Sequence, residues 1–386
     1  MLLALLMLAC SCALVAIWCA RQIASDRRAP VLAPRTDPRA AGPLISVLIP
    51  ARDEAARIGA CLEGLARQSY QGFELIVVDD RSSDGTGKVV RSYAGRLPAL
   101  HIVPGAPLPP GWAGKCWACW QAAARASGEW LLFLDADVIP QPGLLASLTA
   151  HAIERHLDLL TVMPLLRLGS LAERAVLPAF MSLLYGLYPL DRVSDPRSPL
   201  AFANGQCLLV RRSTYAATGG HRAVQASLLE DVELGRRIKA AGYRIEAAAA
   251  PDLIEVRMYH TWRDIVEGLS KNAVAGYRSG GRRSLWIGVQ QALIAFLPLD
   301  LLIAGASLVR VDPGVGGVVL LAGALLAMLT FACNGWLVQR RYCIAPAWAL
   351  LYPLGLAIYF GLAARAFVRL RRGRGVTWKG RRFRES

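Results

Sequence analysis

Two aspartates separated by one residue follow a short apolar run in the middle of the chain. Asp135 and Asp137 come directly after Trp130–Leu134, which has the composition of a buried β-strand. Side chains two positions apart point to the same side of a strand, so the pair can bind one ligand if the extended conformation continues through it. Carboxylate oxygens suit Mg²⁺ and Mn²⁺, and a small number of protein ligands leaves coordination positions for phosphate oxygens. The alternative interpretation is an acidic turn before Pro140.

A second acidic pair, Asp79 and Asp80, follows the apolar run at residues 73–78. Adjacent carboxylates at the end of a buried strand are costly unless they accept hydrogen bonds from a base, a ribose or backbone amides. We therefore predict that these two acids bind a nucleotide. Residues 84–86, Asp-Gly-Thr, are typical of a turn and a helix start, and we expect their role to be structural.

A third group of acids begins a predicted helix. Glu230, Asp231 and Glu233 precede an apolar pattern of helical spacing that stops at Gly242. Acids are common in the first turn of a helix because they complement its dipole, so their position alone does not indicate chemistry. Neighbouring helix residues point about 100° apart, so Glu230 and Asp231 are not expected to face a ligand equally.

All three acidic groups fit an alternating strand–helix pattern. Strands that alternate with helices form an open α/β sheet with right-handed crossovers, and ligands bind at the carboxyl ends of its strands. The predicted strands are residues 45–49, 73–78, 100–103, 130–134 and 159–163, and the predicted helices between the first four are residues 54–68, 86–94 and 115–126. The polar segments 50–54, 79–86 and 135–137 therefore lie at one edge of the predicted sheet.

Five motifs in this part of the chain follow one another in the order typical of glycosyltransferase family 2, and residues 44–245 resemble enzymes of that family. The resemblance implies a GT-A fold, an α/β domain with a mostly parallel sheet. It also implies a nucleotide-sugar donor and inversion at the anomeric carbon. The motifs are SVLIPARDE at 46–54, VVDDRSSDGT at 77–86, Gly114-Lys115, Asp135-Ala136-Asp137 and Glu230-Asp231.

The resemblance further implies a role for each matching residue. Asp231 would be the general base, Asp137 would ligate Mg²⁺ or Mn²⁺, and Lys115 would reach the uracil or the diphosphate of the donor. Asp135 would face the nucleoside. The other donor-binding positions are Pro50, Arg52, Asp53 or Glu54, Asp79 and Asp80.

Apolar segments at both ends indicate a membrane protein. Of the 386 residues 54% are hydrophobic, concentrated in residues 1–20 and in three stretches, 285–309, 314–338 and 345–368, each long enough to span a bilayer. Residues 1–20 are interpreted as an anchor and not as a signal peptide, because their positive charges follow the apolar run. Three crossings after a cytoplasmic domain would place the basic tail outside, so the first or the last stretch is expected to be re-entrant or interfacial.

The predicted domain plan follows from these segments. A multi-pass inner-membrane protein with a cytoplasmic catalytic domain is expected. Residues 171–190 are interpreted either as an interfacial amphipathic element or as a buried core helix. The plan is an anchor at 1–20, a linker at 21–43, a GT-A domain at 44–260, an interfacial segment at 261–284, transmembrane or re-entrant helices at 285–368 and a basic cytoplasmic tail at 369–386.

The distribution of charge favours a lipid partner over nucleic acid. The formal net charge is +16, and eight Lys or Arg lie between Arg369 and Arg384, directly after an apolar stretch. Such a cluster beside a membrane segment is typical of attraction to anionic lipid, so no nucleic-acid partner is expected. Of the nine cysteines, Cys116 and Cys119 form a C-x-x-C spacing, but without a second pair no zinc or redox site is expected.

The predicted function is metal-dependent, inverting transfer of a hexose from a nucleotide-sugar, with UDP-sugar favoured, to a membrane lipid such as a hopanoid, a carotenoid or another glycolipid precursor. Segments at 112–118, 179–189 and 378–381 look most like bacterial enzymes associated with hopanoid and carotenoid pathways. Processive family members carry a Q-x-x-R-W motif, which has no counterpart at residues 270–274. The alternatives are transfer to polyprenyl phosphate and a non-catalytic membrane-tethered scaffold, which would be expected to lose the acids at the metal or base position.

Overall fold

The computed structural model describes residues 2–35, 42–97, 99–372, 376–378 and 381–383. The chain divides into two compact units. The α/β unit comprises Ala29–Arg167 and Leu190–Met258. The membrane unit comprises Leu168–Pro189 together with the residues before Ala29 and after Met258.

The strands of the α/β unit form two sheets. The strands are β1 (Ile45–Ala51), β2 (Phe73–Asp79), β3 (Leu100–Pro104), β4 (Trp130–Leu134), β5 (Val138–Pro140), β6 (Leu159–Met163), β7 (Leu165–Leu166), β8 (Cys207–Arg211), β9 (Ile245–Ala249) and β10 (Ile254–Val256). The larger sheet has the order β3-β2-β1-β4-β8-β6-β9, in which β8 is antiparallel to β4 and β6 and the other pairs are parallel. The smaller has the order β5-β10-β7. In the membrane unit, β11 (Val376–Trp378) pairs with β12 (Arg381–Phe383) as a separate two-stranded sheet.

The helices of both units follow the apolar periodicity of the sequence. Two short 3₁₀ segments, Gly220–Val224 and Pro346–Leu351, accompany them. The helices are α1 (Leu2–Arg28), α2 (Ile58–Ala66), α3 (Thr86–Arg91), α4 (Gly114–Ala123), α5 (Leu144–Glu154), α6 (Leu171–Leu187), α7 (Leu190–Ser194), α8 (Arg212–Ala217), α9 (Glu230–Ala240), α10 (Trp262–Gly280), α11 (Arg282–Leu308), α12 (Pro313–Tyr342) and α13 (Tyr352–Arg371).

The predicted α/β sheet is confirmed, and its central strands are buried. Strands β1 and β4 are apolar along nearly their whole length, as expected for strands covered on both faces. One buried carboxylate fixes three segments at the amino-terminal edge. Glu74 Oε1 on β2 accepts hydrogen bonds from Ser46 Oγ on β1 and from the backbone N–H groups of Ser127 and Gly128 before β4. The register of β1, β2 and β4 aligns the polar segments at their carboxyl ends.

The structure differs from the predicted linker at 21–43. Helix α1 continues to Arg28, and the next residues join the sheet of the α/β unit. The N–H of Leu32 donates to the carbonyl of Ala249 at 2.8 Å, and Arg35 forms an ion pair with Glu154 at 2.6 Å. Residues 36–41 of the predicted linker lie outside the described residues.

The structure also differs from the predicted catalytic domain at 44–260, because α6 belongs to the membrane unit. A capping box between Ser170 and Glu173 starts the helix, and Pro178 lies inside it without ending it. Of the two interpretations of this segment, the structure favours burial: most of α6 is buried, and Ser182 Oγ lies 2.9 Å from Tyr352 Oη on α13.

Four helical segments among the described residues are long and apolar enough to cross a membrane. Their mean hydropathies lie between 1.6 and 2.3, in the range expected of spanning helices. They are Leu6–Arg28, Arg282–Leu308, Pro313–Tyr342 and Pro346–Arg371. Length and composition alone do not establish how many of them cross, so the predicted re-entrant segment stays a prediction at this point.

Candidate active site

A lysine clamped between two carboxylates lies at the centre of the candidate site. Lys115 is the second residue of α4, where the chain turns from the loop after β3 into the helix. Its Nζ lies 2.7 Å from Asp135 Oδ1, directly after β4, and 3.1 Å from Glu230 Oε1, at the start of α9. Three elements that are distant in sequence therefore meet at one ammonium group.

Asp231 completes this group, which we call the Lys115 cluster (Lys115, Asp135, Gly205, Glu230 and Asp231). Asp231 Oδ2 accepts a hydrogen bond of 2.7 Å from the backbone N–H of Gly205, and its Oδ1 accepts one from the N–H of Val232. Gly205 is buried between the two charged side chains. A Cβ there would lie 2.8 Å from Lys115 Nζ and 3.1 Å from Asp231 Oδ2.

The turn that carries Gly205 is fixed from both sides. Asn204 receives a hydrogen bond at its carbonyl from Thr161 Oγ1 on β6, and its own N–H donates to the same hydroxyl at 2.9 Å. Gln206 accepts a hydrogen bond at its carbonyl from the N–H of Asp135. The turn thereby connects Asp135 and Asp231 to the sheet.

The charges of the cluster change the protonation of its members. Burial alone would lower the pKa of Lys115, but Asp135, Glu230 and Asp231 outweigh it and raise that pKa well above its usual value. Burial raises the pKa of Asp231 to about 6, and the neighbouring Glu230 adds to this, while Lys115 and the two N–H donors oppose it. The lysine therefore stays cationic at neutral pH, and Asp231 is poised to accept a proton.

A second polar group forms at the ends of β1 and β2. Arg52 Nη1 donates to the carbonyl of Asp80 at 3.2 Å and lies 3.8 Å from its carboxylate. Asp53 has a φ of 51° and accepts hydrogen bonds from the N–H and Oγ of Ser83. Arg52 Nε is buried and has no hydrogen-bond partner among the described residues, so it can donate to an acceptor on a bound ligand.

The other predicted donor-binding residues around this group are held by local structure. Pro50 pairs with Val78 in the register of β1 and β2. Glu54 is 5% exposed, and its carboxylate lies 3.1 Å from Arg57 Nη1. Asp79 Oδ1 accepts a hydrogen bond from the N–H of Ser82 at 3.0 Å. These contacts order the loop after β2 around Arg52.

The Asp135-Ala136-Asp137 segment is a turn and does not continue the strand. Strand β4 ends at Leu134, and the N–H of Val138 faces the carbonyl of Asp135 across the turn. Both carboxylates lie near the buried thiol of Cys61, whose pKa is raised by burial and then by the charges of Asp137 and Asp135. The strand alternation expected from the sequence therefore does not extend through these two acids.

The donor atoms at this turn suit a hard divalent cation that is shared with a ligand. Asp135 and Asp137 both carry carboxylate oxygens, and Asp135 Oδ1 lies 2.7 Å from Lys115 Nζ. Among the described residues, no group of three or more His, Cys, Asp or Glu is placed to hold a metal ion. Carboxylate oxygens and phosphate oxygens are both ligands that Mg²⁺ and Mn²⁺ prefer.

Two members of the Lys115 cluster were not predicted as site residues from the sequence. They are Glu230 and Gly205; helix geometry predicts that Glu230 and Asp231 do not face a ligand equally. In the structure both approach Lys115, because they occupy the first turn of α9, directly beside the turn at Gly205. Gly205 left one signal, the Asn-Gly dipeptide before an apolar strand, which is typical of a tight turn.

Comparison with known proteins identifies the family and the fold. The family model described as glycosyltransferase like family 2 matches residues 42–279, more than half of the chain, so the chain belongs to this family. Over 94% of this chain and 97% of the other, the structure is similar to a mannosyltransferase from Pyrobaculum calidifontis solved in complex with GDP-Man and Mn²⁺, with a TM-score of 0.54 and 19% identity. The likeness confirms the predicted GT-A type of fold.

Relatives with similar sequences carry a carotenoid in their names. A 4,4'-diaponeurosporenoate glycosyltransferase from Staphylococcus haemolyticus is 26% identical over 61% of this chain, and one from Staphylococcus aureus (strain MRSA252) is 26% identical over 62%. The match spans about 62% of the length of each relative. The expected resemblance to carotenoid-associated enzymes is thereby confirmed.

The structure makes Gly205 a testable position. We expect Gly205→Ala to reduce turnover at least tenfold, because the added methyl displaces either the Lys115 ammonium or the Asp231 carboxylate. The pH at which activity is half-maximal should also move, since the N–H donor that lowers the pKa of Asp231 is displaced. Gly95→Ala is the matched control, because a Cβ there has no neighbour within 4 Å. If Gly205→Ala, Gly95→Ala and the wild type have the same pH–rate profile, the assignment of Gly205 to the site is wrong.

Proposed function

We propose that this protein is an inverting glycosyltransferase that moves a hexose from a nucleotide-sugar, with UDP-sugar favoured, to a lipid acceptor in the membrane that anchors it. The Lys115 cluster is the observation that carries the proposal. Its lysine, two paired carboxylates and a proton-accepting aspartate lie at the carboxyl edge of β4, where an open α/β sheet binds ligands. The four candidate spans support a membrane location, which we take to be the inner membrane with the α/β unit in the cytoplasm.

The group at the ends of β1 and β2 is proposed to bind the nucleoside. Arg52 offers its buried Nε, and the exposed Asp53 carboxylate can accept from ribose hydroxyls. Asp80 keeps the guanidinium in place through its carbonyl and carboxylate. The contacts given above for Pro50, Glu54 and Asp79 are with other residues of the protein. In this proposal these three residues shape the loop, and the loop contacts the donor.

Lys115 is proposed to neutralise charge on the donor diphosphate as the bond to the sugar breaks. A positive group already in place needs no reorganisation when charge develops on the leaving group. The Asp135 and Glu230 carboxylates hold it there, 2.7 and 3.1 Å away. In this proposal Asp135 acts mainly through the lysine, in addition to facing the nucleoside.

A divalent cation, Mg²⁺ or Mn²⁺, is proposed to be held by Asp137 together with the donor. When bound, it would neutralise diphosphate charge and act as a Lewis acid. The mannosyltransferase from Pyrobaculum calidifontis, named as a complex with Mn²⁺, is consistent with this assignment.

The acceptor is proposed to be an apolar lipid such as a carotenoid or a hopanoid. The names of the relatives favour a carotenoid. A hydroxyl acceptor has a proton that must be removed as the new bond forms, and Asp231 is proposed to take it. A carboxylate or phosphate acceptor is already ionised at neutral pH and needs no base. The alternatives of transfer to polyprenyl phosphate and of a non-catalytic scaffold therefore make different predictions for Asp231.

One assay separates these possibilities. Purified full-length protein is supplied with labelled UDP-hexose and, in turn, a carotenoid carboxylic acid, a hopanoid or carotenoid alcohol, and polyprenyl phosphate, and labelled lipid is measured. With an alcohol, we expect Asp231→Asn to lower kcat by about 10²- to 10⁴-fold while donor affinity is retained. With an already ionised acceptor, the same variant should lose far less. No labelled product from any of the three acceptors or with other nucleotide-hexoses would favour the scaffold.

The pH dependence gives a further test of the base. Because the pKa of Asp231 is raised to about 6, the ionised form is lost as the pH falls through that value. With an alcohol acceptor, kcat should therefore fall below pH 6 by about tenfold per pH unit and stay level from pH 7 upward until another group titrates. Glu233→Gln, two residues away in the same helix turn, should keep the wild-type profile. A profile that stays flat down to pH 5 would contradict Asp231 as the base.

Asp137 tests the metal assignment. We expect Asp137→Asn to abolish transfer, and EDTA to abolish it in the wild type, because an amide oxygen without charge binds a divalent cation weakly. Thermal unfolding of the variant should match the wild type within a few degrees, since Asp137 lies in an edge turn and not in the core. Wild-type turnover after EDTA, together with an active Asp137→Asn variant, would rule the assignment out.

A further inference from the structure

Helix α6 provides a reference for the two sides of the membrane unit. The chain reaches α6 from Arg167 and leaves it to Leu190, and both residues belong to the α/β unit. A single helix whose two ends return to the same folded unit cannot have crossed a bilayer. Its length agrees, because 17 residues extend only ~25 Å against a hydrocarbon core of ~30 Å. Helix ends that contact the last residues of α6, just before Leu190, therefore lie on the side of the α/β unit.

Three of the candidate spans have one end on this side. Helix α12 ends there, because the Arg341 guanidinium lies 3.9 Å above the ring of Tyr185 on α6. Helix α1 ends beside it, since Asp26 forms ion pairs of 2.7 Å with Arg340 and Arg341. Helix α11 begins there, because a Cβ at Gly186 would lie 2.8 Å from Ile287. Helices α1, α11 and α12 can thus each cross once.

The segment after α12 turns back into the membrane unit. Cys343 has a φ of 54°, a left-handed conformation that ends α12. Pro346 then lies against Gly335, where a Cβ would be 3.2 Å from its side chain. Gly335 precedes the end of α12 by seven residues, or ~10 Å along the helix. The chain therefore runs back alongside the helix that it has just left.

Helix α13 then runs towards α10 and away from the interior of the membrane unit. At its start, Tyr352 Oη donates to Gln291 Oε1 at 2.5 Å. Near the middle of α13, Phe360 lies 3.9 Å from the position that a Cβ at Gly288 would occupy. Near its end, the ring of Phe367 meets Tyr277 of α10 at a centroid distance of 5.2 Å. The residues that α13 contacts therefore lie progressively earlier in the sequence, from the interior of α11 to α10, the helix that precedes it.

Helix α10 ends on the α6 side as well. Its Ser279 Oγ lies 3.3 Å from the hydroxyl of Tyr188, the C-cap of α6. Both ends of the segment 343–371 are therefore on the side of the α/β unit. Its entry is fixed by the contacts of α12 and its exit by those of α10.

The exposed face of α13 carries a charge that fits this orientation. Leu354, Gly361, Arg365 and Val368 are exposed and lie on one face, because their spacings are close to whole helix turns. In a spanning helix that starts at Tyr352, Arg365 would lie ~20 Å further on, exposed towards lipid tails. Such a charge costs about 2.5–3.5 kcal/mol at the centre of a membrane helix on insertion scales, and less towards the headgroups.

We propose that residues 343–371 form a re-entrant arm that does not cross the bilayer. The arm enters and leaves the leaflet on the side of the α/β unit, and its exposed face binds anionic phospholipid there, with Leu354 among acyl chains and Arg365 at the headgroups. The chain then crosses three times, through α1, α11 and α12, and the basic tail begins at residue 369 on the same side as the α/β unit. The positive-inside tendency is satisfied, and the proposal does not depend on sugar transfer.

Sidedness is tested on the full chain in sealed vesicles with a membrane-impermeant maleimide. Cys343 is exposed in the native chain, and Cys10→Ser removes the other exposed thiol. Two further variants, in a Cys10→Ser, Cys343→Ser background, carry Val311→Cys in the link between α11 and α12, where Val311 is 84% exposed, or a cysteine appended to the carboxyl terminus. Cys343 and the appended cysteine should react from one side and the Val311→Cys variant from the other. Reaction of the appended cysteine from the same side as the Val311→Cys variant would overturn the arm.

The depth of α13 in the bilayer provides an independent test of the re-entrant arm. Nitroxide labels on Leu354→Cys, Gly361→Cys and Val368→Cys share one helix face, and their immersion is measured by power saturation with oxygen and a nickel chelate. The arm predicts that immersion decreases steadily from residue 354 to residue 368. A spanning helix predicts the greatest immersion at residue 361, with both outer labels shallower, and this result would overturn the proposal.

Removing the charge of Arg365 tests the lipid preference of the exposed face of α13. We expect Arg365→Gln to lower the preference of the protein for spin-labelled phosphatidylglycerol over phosphatidylcholine by about fivefold, the usual effect of one basic residue near an anionic surface. Gly361→Ala, on the same face, should leave the preference unchanged. An unchanged preference in the Arg365→Gln variant would remove anionic lipid as the partner of this face.

Discussion

The ion pairs of Lys115 are the interaction on which the candidate site depends. Its ammonium group brings together α4, the turn after β4 and the start of α9, three segments that the sheet alone would leave separate. A partly buried cation with more than one carboxylate is strongly held, and removal of either partner leaves the other charge poorly compensated. The same pairs keep the lysine protonated and hold Glu230 beside Asp231. The geometry of the site and its electrostatics therefore have one origin.

This arrangement makes Asp231 unusual among the acids of the chain. Two N–H donors and a nearby lysine favour its ionised form, yet burial and the charge of Glu230 prevail and the pKa rises to about 6. A folded-state pKa above the unfolded value means that ionisation of Asp231 at neutral pH opposes folding. In the proposed function this cost accompanies a role for Asp231, the acceptance of a proton from the acceptor. In a scaffold without catalysis the raised pKa would have no such role.

The sequence predicted the sheet well because its strands are short, apolar runs between polar turns. Residues 130–134 and 159–163 were placed correctly to the residue, and two of the residues that the family resemblance implied, Lys115 and Asp135, lie 2.7 Å apart in the structure. Glu230 and Gly205 were not predicted as site residues, because their roles depend on contacts between segments distant in sequence, which no local pattern encodes. The aspartates at 135 and 137 were expected to share a side through strand alternation, but the strand ends at Leu134 and the segment is a turn.

Composition was least informative in the last apolar stretch. Residues 346–371 have the length and mean hydropathy of a span, and only contacts show which way they run. The hydroxyl of Tyr352 bridges Ser182 and Gln291 inside the membrane unit, so each of these buried polar groups has a partner without water. This bridge fixes the start of α13 beside α11, and the turn at Cys343 allows the chain to reach it. A proline-rich entry and a buried tyrosine therefore turn a sequence that could span into a segment that returns, and the returning helix carries its arginines to the headgroups.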